Sequence, residues 1–323
     1  MAPRYVITMP KFPTLATNPP YYSPARKPGQ LSGPAPDPHQ GQNPEETEMN
    51  IKSVTLPITT FTALLASTPL FAQARPAIPT VHPNRLTVAY RTDDKPISFI
   101  ADGKPNGFLV AFEQAIGKQI GLKVEFVSTD FASMLPSVKN HVYDSAAFPV
   151  LVTPARRKIV DFTTPIAYAE ARLVSRTDAP ISRIDGAAKK TIAITQGSAL
   201  IPLLRRIAPG VKVKQFPNIA ASTNALLADQ VDGLFTGLAT ADHLVAQHNG
   251  LSESQIVNSG EAAFPVAKSN PKLRAALNTA IAHLMKNGTY TRLFQRWNPS
   301  NVAIPDALYA RYPGMPHEQP AKQ

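Results

Sequence analysis

Asp144-Ser145-Ala146-Ala147-Phe148-Pro149-Val150-Leu151-Val152-Thr153-Pro154-Ala155-Arg156-Arg157-Lys158-Ile159-Val160-Asp161-Phe162-Thr163-Thr164-Pro165 is the stretch on which the fold turns. The small and apolar run 146–152 lacks polar alternation and predicts a strand buried on both faces of an α/β sheet. Thr153 followed by Pro154 predicts a helix start. A hydroxyl at the N-cap accepts an orphan N–H, and Pro at the first helical position loses no hydrogen bond. Arg156 then lies one turn into a helix that begins at the carboxyl end of a strand. In open α/β sheets that edge is where ligands bind.

On the N-terminal side of this stretch, 85–90 alternates as a strand. The segment 108–120 places Phe108, Phe112, Ile116 and Ile120 on one helical face, and Gly121 stops it. A second strand, 122–127, and a helix over 131–140 with Met134, Leu135 and Val138 inward complete a β-α-β-α-β order, which implies a parallel sheet. On the C-terminal side, 171–176 reads as an extended segment crossing between two lobes. The strand 190–195 runs through the turn Gln196-Gly197-Ser198 into a helix over 199–207. Such a helix start suits an anion through its free N–H groups and dipole, and it is equally an ordinary cap. Further strands are expected at 213–216 and 231–237, with helices over 220–229 and 239–248. A closing helix carries Leu273, Leu277, Ile281 and Leu284 on one stripe, and a last short helix spans 290–297. The tail after Pro299 is expected to be irregular.

At Asp144, Thr153-Pro154-x-Arg156 and Asp161-Phe162-Thr163-x-Pro165 the chain resembles the signature of periplasmic solute-binding proteins of polar amino acid importers, solute-binding protein family 3. The segment Asn106-Gly107-Phe108 and the closing Asn270-Pro271-x-Leu273-Arg274 through Gly288-Thr289-Tyr290 to Trp297 resemble the same family. The resemblance runs from about Arg85 to Trp297. It implies two α/β lobes joined by a two-segment hinge, the type II Venus flytrap, with 84–168 plus 269–298 as lobe 1 and 169–268 as lobe 2. It also implies that Arg156 grips a ligand α-carboxylate and that Gly197 and Ser198 touch the same group. Thr153, Phe148, Thr236 and Asp93 are the remaining candidate ligand-binding residues. Two departures bear on the ligand. The Asp that binds the α-ammonium in the family is replaced by Gly237, and the hydroxyl-rich wall becomes Phe148, Pro149 and Leu151. A buried cation without a partner is costly. The expected ligand is therefore a small carboxylate, either an amino acid held by another acid such as Asp93 or Asp94, or an apolar or aromatic organic acid. The implied partner is the membrane permease of an ABC importer, and the protein is expected to act as a monomer. Two alternatives share the fold: a periplasmic dehydratase of the cyclohexadienyl type, and a ligand-free partner or sensor.

Composition bounds the rest. The chain of 323 residues has no cysteine, which excludes disulfides, thiolate metal sites and Cys nucleophiles. Its net charge of +11 fits steering of an anion or simply a basic surface. No basic run is interleaved with aromatics, so nucleic acid is not an expected partner. The phosphate-binding and hydrolase motifs that mark common enzyme classes are missing, and no catalytic residue, metal ligand or cofactor is expected. Residues 1–48 hold 11 of the 33 prolines and no apolar period, and are read as a disordered or mis-called extension. Residues 49–74 have a basic start, an apolar middle and Ala72-Gln73-Ala74. That is the outline of a signal peptide ending near Ala74, with a periplasmic destination.

Overall fold

A computed structural model describes residues 77–298 and 301–317. The extension and signal-peptide readings over 1–74 fall outside the described residues.

The first lobe opens with strand β1 (Arg85–Tyr90), followed by a small antiparallel meander of β2 (Asp93–Asp94), β3 (Ser98–Ala101) and β4 (Lys104–Asn106). Helix α1 (Phe108–Ile120) follows and ends at Gly121, whose left-handed backbone closes the last turn without a Cβ clash. After β5 (Lys123–Ser128), α2 (Phe131–Lys139) and β6 (Ser145–Ala146), the sheet order is β5-β1-β6, all parallel. This is the β-α-β-α-β arrangement that the apolar periodicity predicts. The expected strand over 146–152 is much shorter, because it ends at Ala146. Pro149 lacks the N–H a sheet ladder needs, and only Leu151 pairs again, in a bridge to Ala262. The run stays buried all the same: Ala147, Phe148 and Val150 are fully enclosed.

Helix α3 (Pro154–Arg157) begins as expected, with Thr153 Oγ1 accepting the Arg156 N–H at 3.2 Å. Strand β7 (Asp161–Phe162) then leads out of the lobe. The crossing comes earlier than 171–176. It falls around Pro165, and the segment predicted to cross lies inside a ten-residue strand, β8 (Ala167–Arg176). A proline cannot donate to a ladder, so the chain passes between lobes there and resumes pairing at Ala167.

The second lobe contains β9 (Thr191–Thr195), α4 (Leu200–Ile207), β10 (Lys212–Phe216), α5 (Ile219–Leu227), β11 (Gly233–Gly237), α6 (Leu238–Gln247), β12 (Leu251–Glu253) and β13 (Val257–Ala262). Strands β10, β9 and β11 run parallel, and β8 joins β11 antiparallel, with β12 and β13 on its other side. The chain returns through β14 (Pro265–Val266), which pairs antiparallel with β7. Outgoing and returning segments thus run side by side as a two-segment hinge.

Helices α7 (Pro271–Lys286) and α8 (Thr289–Trp297) pack back on the first lobe. Asn270 caps α7 by accepting the Leu273 N–H. The rings of Phe108 and Phe112 meet Tyr290 edge-on at 5.2 and 5.1 Å, and each fully buried ring contributes roughly 1.5–3 kcal/mol of transfer free energy. Tyr290 also donates its hydroxyl to Ile166 O at 2.7 Å and so fixes the outgoing hinge segment. The tail, expected to be irregular, carries a further helix, α9 (Asp306–Arg311), with Leu308 fully buried in the first lobe's core. Its apolar residues Val302, Ile304, Leu308 and Met315 are too widely and unevenly spaced to announce a helix by periodicity.

Candidate functional site

Three devices place Arg156. The Thr153 cap sets where α3 starts, the fixed φ of Pro154 starts the turn, and the short helix directs the side chain toward the gap between lobes. Arg156 is 7% exposed. Its Nη1 donates to Leu151 O at 2.9 Å and its Nη2 to Gly197 O at 3.0 Å, so one side chain touches both lobes. The plane lies over the Phe131 ring at 5.4 Å. Among the described residues no carboxylate pairs with it, and burial lowers its pKa to about 10. A guanidinium has five N–H donors, and two backbone carbonyls do not neutralise it. An anion brought beside it would recover the electrostatic stabilisation that burial removed.

Arg156 lines a cleft of about 180 Å³ that draws on both lobes. That volume exceeds the ~150 Å³ cavity known to accept benzene and falls below the range of drug-sized sites, so it suits a molecule of amino-acid size. The wall contains the hydroxyls of Thr195, Ser198 and Thr236, an apolar and aromatic part with Phe108, Ile166, Leu238, Tyr290 and Phe294, and the charged residues Arg91, Asp94 and Glu170.

Of the residues singled out from sequence, Arg156, Ser198 and Thr236 share this cleft. Ser198 also accepts the Leu200 N–H at 3.2 Å and helps start α4. Gly197 has φ +74°, and a Cβ there would sit 3.2 Å from Ala132 Cα, so only glycine allows the two lobes to approach this closely. Its contact with Arg156 is through its carbonyl. Three expectations need correction. Thr153 caps α3 and does not line the cleft. Phe148 is fully buried in a core cluster, edge-on to Phe131 at 5.6 Å, and forms no part of the wall. Asp93 faces a separate groove, held by Arg91 at 3.4 Å and by the Ala220 N–H at 2.8 Å.

Asp94, weighed beside Asp93, is the acid that reaches the cleft. It accepts the Thr240 hydroxyl at 2.7 Å and pairs with Arg91 at 3.4 Å. Burial raises its pKa, against the opposing pull of Arg91 and Thr240. Glu170 also lines the cleft, and nothing in the sequence pointed to it. Strand pairing explains how it could have been found: Glu170 is adjacent to Ala171, which pairs with Gly237, so locating β8 correctly brings it beside the departed Asp position. At Gly237 a Cβ would meet nothing nearer than Glu170 O at 4.0 Å, in an ordinary extended backbone. The space for an acidic side chain is present and the side chain is not. Among the described residues no group of three His, Asp or Glu is placed to hold a metal ion.

With this geometry in place, the chain belongs to the bacterial extracellular solute-binding proteins, family 3, whose model matches residues 86–300. The L-cystine-binding protein TcyJ of Escherichia coli is 27% identical over 212 residues, which cover 64% of this chain and 80% of that protein. Among solved structures, an ancestral arginine-binding protein bound to glutamine is 29% identical, with a TM-score of 0.64 over 67% of this chain and 98% of the other. An ancestral amino acid-binding protein, a precursor of cyclohexadienyl dehydratase, shares the fold at a TM-score of 0.62 and 24% identity, over 67% and 96% of the two chains. The class is therefore that of two-lobed extracytoplasmic binding proteins serving amino acid ABC transport.

Proposed function

We propose that this protein captures a small carboxylate, an amino acid or an apolar or aromatic organic acid, by closing its lobes, and presents it to the permease of an ABC importer as a monomer. The observation that carries this reading is Arg156, a buried arginine without an acidic partner among the described residues, hydrogen-bonded into both lobes at the edge of an amino-acid-sized cleft. An arriving carboxylate supplies the missing charge, and because the guanidinium already spans the gap, its binding energy favours the closed form. The relatives' cystine, arginine and glutamine argue for an α-amino acid. The empty Gly237 position argues for tolerance of acids without the amine. Asp94 and Glu170 are the cleft acids available to an ammonium group.

Thermal shift and calorimetry against amino acids, 2-oxo acids, aromatic acids and dicarboxylates test the proposal. Binding that stabilises the wild-type chain in a concentration-dependent way and disappears in Arg156→Ala supports it. Silence across the panel favours a ligand-free partner role.

One observation favours the second reading, a dehydratase. Asp94 is a buried cleft carboxyl whose pKa burial raises, the property a proton donor needs. Release of carbon dioxide and water from prephenate or arogenate, the C4 hydroxyl leaving as water once protonated, followed by ultraviolet absorbance of the aromatic product, discriminates the two readings.

A further inference from the structure

The family match ends at residue 300, yet the chain that follows is built into the molecule. Val302, Ile304, Leu308 and Met315 are buried in the core of the first lobe, alongside Phe108 and Phe294. Thr291 Oγ1 donates to Pro316 O at 2.8 Å and Tyr312 donates its hydroxyl to Pro165 O at 2.7 Å, so the segment is tied to α8 and to the outgoing hinge. At its other end Asn301 Nδ2 donates at 2.6 Å to Asp242 Oδ2 on α6 of the second lobe, and Asp242 in turn holds Arg172 of β8 at 2.9 Å. The segment therefore touches both lobes and the hinge. Val302, Ala303 and Pro305 meanwhile line the cleft.

We infer that residues 301–317 form a third strap between the lobes, and that Val302 and Pro305 are specificity-determining wall residues that select the size and apolar character of the ligand's side chain. The wall half rests on the carboxylate reading above; the strap half does not. The charge-assisted Asn301–Asp242 bond exists only while the lobes stand as they do here, so it adds to the stability of this arrangement. A β-branched residue and a proline at the cleft are stiff, and a stiff apolar wall discriminates by shape rather than by adapting.

Because the chain has no cysteine, paired spin labels test the strap directly in the full-length protein. Lys139→Cys on α2 of the first lobe and Arg206→Cys on α4 of the second, both exposed, report the distance between the lobes without ligand. Asn301→Ala is expected to shift that distribution to longer distances by several ångströms; an unchanged distribution overturns the strap. For the wall, calorimetry compares phenylpyruvate with pyruvate. Val302→Trp is expected to lower the phenylpyruvate-to-pyruvate affinity ratio about tenfold, and Val302→Ala to raise it. A ratio unmoved by both overturns the wall assignment. If the wild-type chain binds no acid at all, the carboxylate reading and the wall fall together, and the label distances alone judge the strap.

Discussion

The two polar ends of the cleft have fared differently. At the carboxylate end, Arg156 is capped from below by Thr153, held by carbonyls of both lobes and backed by Phe131. At the ammonium end, the position that the family resemblance assigns to an acid is Gly237, with open room beside it. The first end is woven into the backbone of two lobes, so changing it disturbs closure itself. The second end, as the family resemblance describes it, rests on one side chain, and here that position is a glycine with no close neighbour. On the reading proposed above, this difference makes the acid group of a ligand the fixed requirement and the amine optional.

The largest effect should come from breaking the strong end. Arg156→Ala is expected to weaken carboxylate binding by about 100-fold, near 3 kcal/mol, measured by calorimetry. Arg156→Lys should recover only a small part, because an ammonium cannot hold Leu151, Gly197 and a carboxylate in one plane.

A change remote from both ends separates stability from binding. Glu113 is fully buried, accepts the Ser145 hydroxyl, and its second oxygen has no partner among the described residues. Burial raises its pKa from 4.5 to about 8. The group is raised in the folded state, so its stabilising contribution is full below pH 4.5 and is lost as pH rises toward 8. Glu113→Gln should remove that decline and raise stability at pH 8 by on the order of 2 kcal/mol, read from denaturant melts between pH 5 and pH 9. Ligand affinity should stay as it was.

Rebuilding the weak end sharpens the contrast. Gly237→Asp is expected to raise the preference for an α-amino acid over the matching 2-oxo acid by about tenfold, since the new carboxylate faces the cleft. No gain would mean that Glu170 or Asp94 already serves the amine. The smallest effect belongs to Phe131→Leu, which removes the ring under Arg156 and should cost about threefold in affinity, within the ~0.5–1 kcal/mol of a partly exposed cation–π contact.

What could be read from sequence was what local rules determine. The Thr153 cap and the stop at Gly121 each follow from neighbouring residues, and with the first came the position of Arg156. Choices of phase were not legible. Asp93 and Asp94 are consecutive on one strand and so point to opposite faces, and nothing local says which face meets the cleft. Phe148 sits in an apolar run where core and wall residues look alike, and only the close packing against Phe131 separates them. Glu170 was hidden because the crossing was placed several residues too late along the chain. The tail was hidden because the contacts that anchor it, from Asn301 to Asp242, Tyr312 to Pro165 and Thr291 to Pro316, are with distant segments.

The most direct measurement is a calorimetric comparison of one acid with its own primary amide, on wild-type and Arg156→Ala protein. If Arg156 recognises the carboxylate, the wild-type protein prefers the acid by about two orders of magnitude and the variant binds both alike. A variant that still prefers the acid as strongly as the wild type would contradict the account.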